Sequence, residues 1–299
     1  MRVILIHNPQ AGGDDHSRER LQTLIRAAGH EVEYHTSKED FGSALKEPCD
    51  LVAVAGGDGT VRKVATHTIR TGVPIAILPV GTANNISKSL GITGPQEELI
   101  QGWATARRKR FTVGLATSSW GEEIFIEGLG VGLFTRAMML LDHIDDKAPD
   151  DFSSAYDKLY RDISALIVLA SEFSPINLKV TIDGQDVSGP YLLMEAMNMN
   201  FIGPNLHLAP EADPSDGRLD FVFLAEDNRE NFARYLTKRL AGKEAEPPVR
   251  AIRGREMQFH WRGTAIHLDD KIWTNGITVP SSLQVIDVKV ADKFVEFLV

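Results

Sequence analysis

The chain has 299 residues, a formal net charge of −9, and 43% hydrophobic and 24% charged residues. Those proportions are globular and exclude widespread disorder, the length suits two domains of ordinary size, and the acidic balance excludes a general nucleic-acid binder. The single cysteine, Cys49, excludes an intrachain disulfide and fits a reducing compartment.

The opening "MRVILIHNP" has four consecutive apolar residues before His7. That is too short for a signal-peptide core, so it reads as a strand of a cytoplasmic protein. Residues 2–6 form a continuous apolar run, as a parallel strand buried on both faces should. A helix is expected over 16–28, with Leu21, Leu24, Ile25 and Ala28 on one face and Gly29 ending it. Further strands are expected at 31–36, 50–55 and 74–80, with helical patterns between them. Repeated strand–helix units predict a parallel sheet that takes ligands at the carboxyl ends of its strands. Loops 8–13, 56–60 and 79–85 all leave such ends.

After about residue 111 the pattern changes. Short alternating segments appear, among them "IFIEGLGVG", "NLKVTIDG", "PYLLMEAMNM", "RLDFVFL", "MQFHW", "AIHLDD" and "LQVIDVKV". They predict an antiparallel β domain, interrupted by helices at 133–144, 152–172 and 229–241. The final "DKFVEFLV" is apolar to its last residue and is expected to be tied down. No apolar run approaches the ~18 residues of a membrane-spanning helix, so any contact with lipid is expected at the bilayer surface.

In "GGDGT" (56–60) the glycines let backbone N–H groups approach an anion without a Cβ in the way. A helix starting near Thr60 would aim its positive end at the same place. Asp58 then either holds Mg²⁺ against phosphates, accepts a proton, or is the N-cap of a tight turn. The loops "NPQAGG" and "PVGTANN" add Asn8, Gly81, Thr82, Asn84 and Asn85.

"HNPQAGG", "GGDGT" and "PVGTANNISKSLGI", in this order, resemble the diacylglycerol kinase catalytic-domain family, which includes bacterial lipid kinases and sphingosine kinases, with NAD kinases as remote relatives. "LHLAPEADPSDGRLDFVFL" (206–224) is similar to that family's second-domain loop, so the resemblance covers nearly the whole chain. It implies an α/β nucleotide domain with a parallel sheet, then a mainly antiparallel β-sandwich domain, with the site in an interdomain cleft. The expected division is 1–115 and 116–285, with the tail 286–299 packing back on the first domain. The implied activity is ATP-dependent phosphorylation of a hydroxyl on diacylglycerol or a related lipid at the membrane surface. The implied cofactors are ATP and Mg²⁺, and a homodimer is left open.

By position, the resemblance assigns nucleotide contacts to Asn8, Pro9, Gln10, Ala11 and Gly12, and to Thr36. It assigns phosphate contacts to Gly56, Gly57, Asp58, Gly59, Thr60, Val61, Arg62 and Lys63, with Thr82 and Asn84 from the third loop. A structural Mg²⁺ falls to Asp213, Asp216 and the carbonyl of Arg218. Carboxylate and carbonyl oxygens suit that hard cation, although "DPSDG" is also a good surface turn.

The family's Asp-Gly-Glu near the C-terminus is replaced here by Asp269, Asp270 and Lys271. Lys271 stands where the glutamate base is expected, and beside two aspartates its charged form is favoured. The proton therefore passes to Asp58, Asp269 or Asp270, or transfer is lost and a silent nucleotide- or lipid-binding protein remains. Asp269 is expected to matter most, because it alone keeps the family's residue type. An NAD kinase-like enzyme is the other alternative, and the proline-led "PVGTANN" argues for the lipid branch. "ARRKR" (106–110) reads equally as a lipid-headgroup contact or a solvated boundary. The methionines at 138, 139, 194, 197 and 199 are read first as core. Histidine spacing excludes a zinc motif.

Overall fold

The first unit of the computed structural model comprises Met1–Thr112 and Asp292–Val299, and the second Val113–Ala291. The structure describes residues 1–12, 16–69, 71–147, 154–262, 265–273 and 283–299. Gly13, at the end of the first expected loop, and residues 152–153, at the start of an expected helix, lie outside the described residues.

The first unit runs β1 (Arg2–His7), α1 (Arg18–Ala27), β2 (Glu31–Thr36), β3 (Leu51–Gly56), α2 (Asp58–Thr68), β4 (Ile75–Pro79), α3 (Asn85–Ser89) and α4 (Gln96–Gly102), then enters β5 (Arg108–Ser118). β2, β1, β3 and β4 pair in that order, all parallel. The apolar run of β1 is buried from Val3 to Ile6, and β3 is buried along its whole length. Leu21 and Ile25 of α1 pack on Val3, Leu5, Ala53 and Leu78 in one core. The carboxyl-terminal segment is held here, with Phe297 paired to Ile75 and Val299 exchanging both backbone hydrogen bonds with Arg107.

The second unit continues with β6 (Gly121–Phe125), β7 (Gly128–Gly132), α5 (Leu133–Lys147) and α6 (Ala155–Glu172). It goes on through β8 (Ile176–Ile182), β9 (Gln185–Asp186), β10 (Gly189–Met197), β11 (Phe201–Ile202), β12 (Leu206–His207), β13 (Leu219–Ala225) and α7 (Arg229–Leu240). β14 (Arg250–Gly254), β15 (Glu256–Trp261), β16 (Ile266–Leu268) and β17 (Lys271–Trp273) follow, and β18 (Gln284–Leu298) carries the chain back into the first unit. It is a mainly antiparallel β-sandwich. One core lies between its sheets around Phe221, Phe259 and Trp261; a second packs α5, α6 and α7 onto the strands through Leu133, Leu166 and Phe232. Met194, Met197 and Met199 are buried in this unit, while Met138 and Met139 on α5 stay half-buried.

Two expected segments differ. "IFIEGLGVG" is broken at Ile126–Glu127, because the N–H groups there turn away from a strand ladder toward a side chain described below. "LQVIDVKV" and "DKFVEFLV" are one strand, β18. "IDGQD" is a two-residue hairpin turn, with Asp183 and Gly184 both at positive φ. Among the described residues no helix is long and apolar enough to cross a membrane.

Candidate functional site: glycine loops of the first unit and an acidic turn of the second

In the parallel sheet His7 lies beside Thr36 on one side and Ala55 on the other, and Gly56 lies beside Pro79. Asn8, Thr36, Gly57 and Val80 therefore emerge along one edge. Asn8 stiffens the first loop, its Oδ1 accepting from the Gln10 N–H at 3.1 Å and its carbonyl from the Ala11 N–H at 3.0 Å. Pro9, Gln10 and Gly12 are exposed, and Ala11 is half-buried.

The second and third loops meet through glycine. A Cβ on Gly57 would stand 3.1 Å from the Gly81 Cα, and a Cβ on Gly81 would run into the Gly57 backbone itself. Only paired glycines let these main chains approach so closely. Asn84 holds Gly81 from both sides, its Oδ1 accepting from the Gly81 N–H at 3.0 Å and its Nδ2 donating to the Gly81 carbonyl at 2.7 Å. To do so Asn84 takes φ 53°, a conformation asparagine tolerates. Thr82, between them, is half-buried.

The helix after "GG" starts at Asp58, with Gly57 as N-cap, so Asp58 is not the cap that a tight-turn reading expects. Its carboxylate instead accepts from the N–H groups of Asn85 (3.0 Å) and Ile86 (2.9 Å) at the start of α3. Burial pushes the Asp58 carboxyl above the ordinary carboxylate range, against those two donors and the nearby charges of Arg62 and Lys88. The early N–H groups of α2, on Asp58 and Gly59, have no intrahelical acceptor and form the positive end of the helix. Thr60 and Val61 turn into the core, at 7% and 2% exposure, and their N–H groups bond Gly57. Val61 thus has its side chain in the core and its N–H on the Gly57 carbonyl. Gly56 is buried against Thr60, and Lys63 is exposed. Asp58→Ala is expected to destabilise the protein by about 2–4 kcal/mol in urea unfolding, because two N–H groups lose their acceptor.

Two histidines beside this edge escaped the sequence reading. His7 is buried, with Nδ1 3.1 Å from the Tyr34 hydroxyl, and burial pushes its pKa down, toward the neutral form. His16 lies against Gly12 and pairs with Gln96 at 2.7 Å. A histidine next to an Asn-Pro break was the signal available for the first.

In the second unit the "DPSDG" turn orders itself. Asp213 Oδ1 accepts from the Ser215 N–H (3.0 Å) and hydroxyl (2.7 Å), and Asp216 Oδ1 from the Arg218 N–H (2.9 Å). Both carboxylates are exposed, and Arg253 Nε lies 3.7 Å from Asp216 Oδ2 and 3.6 Å from Asp220 Oδ1. These exposed oxygens suit a hard divalent cation. Among the described residues no cluster of three His, Cys, Asp or Glu side chains could hold one, so a metal here would draw on main-chain carbonyls, as at Arg218.

The Asp269–Asp270–Lys271 turn links β16 to β17. Asp269 takes φ 54°, and its carboxylate accepts from the N–H groups of Ile126 (3.0 Å), Glu127 (2.8 Å) and Gly128 (3.2 Å). Its own N–H donates to the Gly128 carbonyl at 2.7 Å. Its oxygens are shared among these backbone donors, so Asp269 anchors the turn. Asp270 and Lys271 are exposed.

Residues 2–116 match the family model "Diacylglycerol kinase catalytic domain", and residues 142–276 match "YegS C-terminal NAD kinase beta sandwich-like domain". The chain is 26% identical over 255 residues to a diacylglycerol kinase of Bacillus subtilis (strain 168), covering 81% of this chain and 80% of that one. It is 22% identical over 264 residues to a diacylglycerol kinase of Mycobacterium tuberculosis (H37Rv), covering 84% and 81%. A crystal structure of a diacylglycerol kinase from Bacillus anthracis str. Sterne shares the fold, with a TM-score of 0.66 at 22% identity over 99% of this chain and 96% of that one. The two matched domains follow one another along the chain as its α/β and β-sandwich units do: the chain carries a diacylglycerol kinase catalytic-domain match followed by an NAD kinase-like β-sandwich match.

Proposed function

We propose that the protein is an ATP-dependent lipid kinase that phosphorylates a hydroxyl of diacylglycerol or a related lipid. The observation that carries this reading is the backbone contact of Gly57 with Gly81, beside the open N-terminus of α2. Such a surface offers main-chain N–H groups to phosphate, and phosphoryl transfer depends chiefly on positioning and charge neutralisation. Asn8, Gln10, Gly12, Thr36, Gly57, Gly59, Thr82 and Asn84 would line the nucleotide, with Arg62 and Lys63 adding positive charge.

Asp213, Asp216 and the Arg218 carbonyl would hold Mg²⁺, which supplies charge neutralisation and order when bound. Asp58 too accepts from backbone N–H groups, of Asn85 and Ile86, but it is the one candidate carboxylate within the glycine loops and is the group proposed to take the acceptor proton. It lies at the phosphate loop and its pKa is raised by burial, which brings a carboxyl closer to the range useful for a base. Asp269 positions its turn, and the exposed Lys271 takes no part in the proposed proton transfer. The acceptor would be met at the membrane surface by a cytoplasmic protein.

Incubation with labelled ATP, Mg²⁺ and a panel of lipids in mixed micelles is expected to give a labelled lipid. Saturable ATP binding with no labelled lipid would defeat the kinase reading in favour of a silent binder, and NADP formed from NAD would move the chain to the NAD kinase branch.

A further inference from the structure

Glu195 on β10 and His267 on β16 are separated by β7, and both are in register with the same residue, Gly130. Glu195 is 0% exposed and His267 1%. In-register residues on neighbouring strands share a face, so the two side chains meet across the glycine. A Cβ on Gly130 would collide with the Glu195 carboxylate, and Gly130 has no positive φ that calls for glycine on backbone grounds. Its place is explained by the passage it leaves. Through it His267 Nε2 comes within 3.2 Å of Glu195 Oε2, and neither carboxylate oxygen has a hydrogen-bond partner.

The other ring nitrogen fixes the bookkeeping of protons. His267 Nδ1 lies 2.9 Å from the Thr135 hydroxyl, and that hydroxyl donates to the Gly130 carbonyl at 3.1 Å. With the hydroxyl proton so used, Nδ1 carries a proton and donates to Thr135. Nε2 then faces the carboxyl either as a bare lone pair, which requires a protonated Glu195, or as N–H⁺, which requires a carboxylate. Each form holds one proton more than a carboxylate beside a neutral imidazole. The remaining arrangement would bury a net negative charge in an apolar core, which costs several kcal/mol.

Among the described residues little else acts on the pair. β7 brings no titratable group, β13 sets Val222 opposite Glu195, and β17 sets Ile272 opposite His267. From α5 come Thr135 and the Phe134 ring, while Arg136 is exposed. Asp220, on β13, pairs in register with Met197 and lies beside Arg253, and Lys271 on β17 is exposed. Burial drives the Glu195 carboxyl upward, with His267 as the opposing charge.

We propose that Glu195 and His267 together hold one proton in the folded protein, and that this pair positions β16 and the Asp269–Lys271 turn that leaves it. His267 lies on that short strand, two residues before Asp269, the first residue of the turn. Pinning its ring to β10 and α5 fixes the strand that leads into the turn, and Asp269 holds the first residue of the turn against Ile126–Gly128. The role in turnover rests on the lipid-kinase reading; the proton does not.

Above about pH 7.5 an unfolded glutamate and histidine bind almost no proton, whereas the folded pair binds one. Folding takes that proton up, so stability falls as pH rises: the pair should lower the folding equilibrium constant about tenfold per pH unit until the folded pair itself is deprotonated. Glu195→Gln supplies an amide N–H to Nε2 without a bound proton. Urea unfolding of parent and Glu195→Gln between about pH 7.5 and 9 should therefore show that slope in the parent and its removal in the variant. Turnover of the folded parent should hold over that range and fall only above it, where the pair itself loses its proton, while that of Glu195→Gln holds throughout, with KM for ATP alike in both.

Equal slopes in the two proteins would overturn the proposal. The imidazole ¹⁵N spectrum of the parent tests it even where the variant does not fold. A proton on Nδ1 of His267 throughout supports the shared proton, and a bare Nδ1 overturns it. Absence of turnover in both proteins at every pH would defeat the kinase reading and the positioning role, while the slopes still decide the proton count.

Discussion

Gly81→Val is expected to weaken ATP binding at least about 100-fold and to destabilise the first unit by about 2–3 kcal/mol, the upper range for overpacking a tight contact. The new Cβ would lie 2.9 Å from the Gly57 amide nitrogen and closer still to its Cα. Both are main-chain atoms, so no rotamer change relieves the clash. The loops must part, and Asn84, which grips the Gly81 N–H and carbonyl, would be carried along. Because the proposed phosphate surface is made by the two loops together, separating them removes it. Gly102→Ala is the control, since nothing lies within 4 Å of the added Cβ. Titration of ATP against both variants, with urea unfolding alongside, measures the effect. Parental ATP affinity in a folded Gly81→Val protein would show that the loop contact is only a turn.

Asp269→Ala is expected to cost about 3–5 kcal/mol in urea unfolding, since it strands donors that bond a charged acceptor. The N–H groups of Ile126, Glu127 and Gly128 all converge on that carboxylate. Asp269→Asn should cost less, about 1–2 kcal/mol, because one oxygen remains to accept and asparagine tolerates the positive φ. Turnover should fall in step with the lost order of the turn. A general base would behave otherwise: Asp269→Asn would keep parental stability and lose about 10²–10⁴ in turnover. That result would return Asp269 to the role that its residue type suggests and its hydrogen bonding argues against.

The parallel strands were legible because three apolar runs and the alternating segment "EVEYHT" are interleaved with helical patterns, and β2 spans the expected residues 31–36. Glycine loops at strand ends were legible for the same reason: turns and periodicity are written in neighbouring residues. Hidden from the sequence was which distant backbone each acid would serve. Asp58 meets N–H groups 27 and 28 positions away, and Asp269 meets N–H groups 141 to 143 positions away. Every residue except proline carries the same N–H, so such partners leave no mark of residue type. Lys271 standing in for a glutamate was visible in the sequence, but the engagement of its neighbour Asp269 was not. Likewise the strand order β10, β7, β16 alone made Gly130 the passage between Glu195 and His267, because a cross-strand row exists only once three strands separated by long stretches of chain take their register.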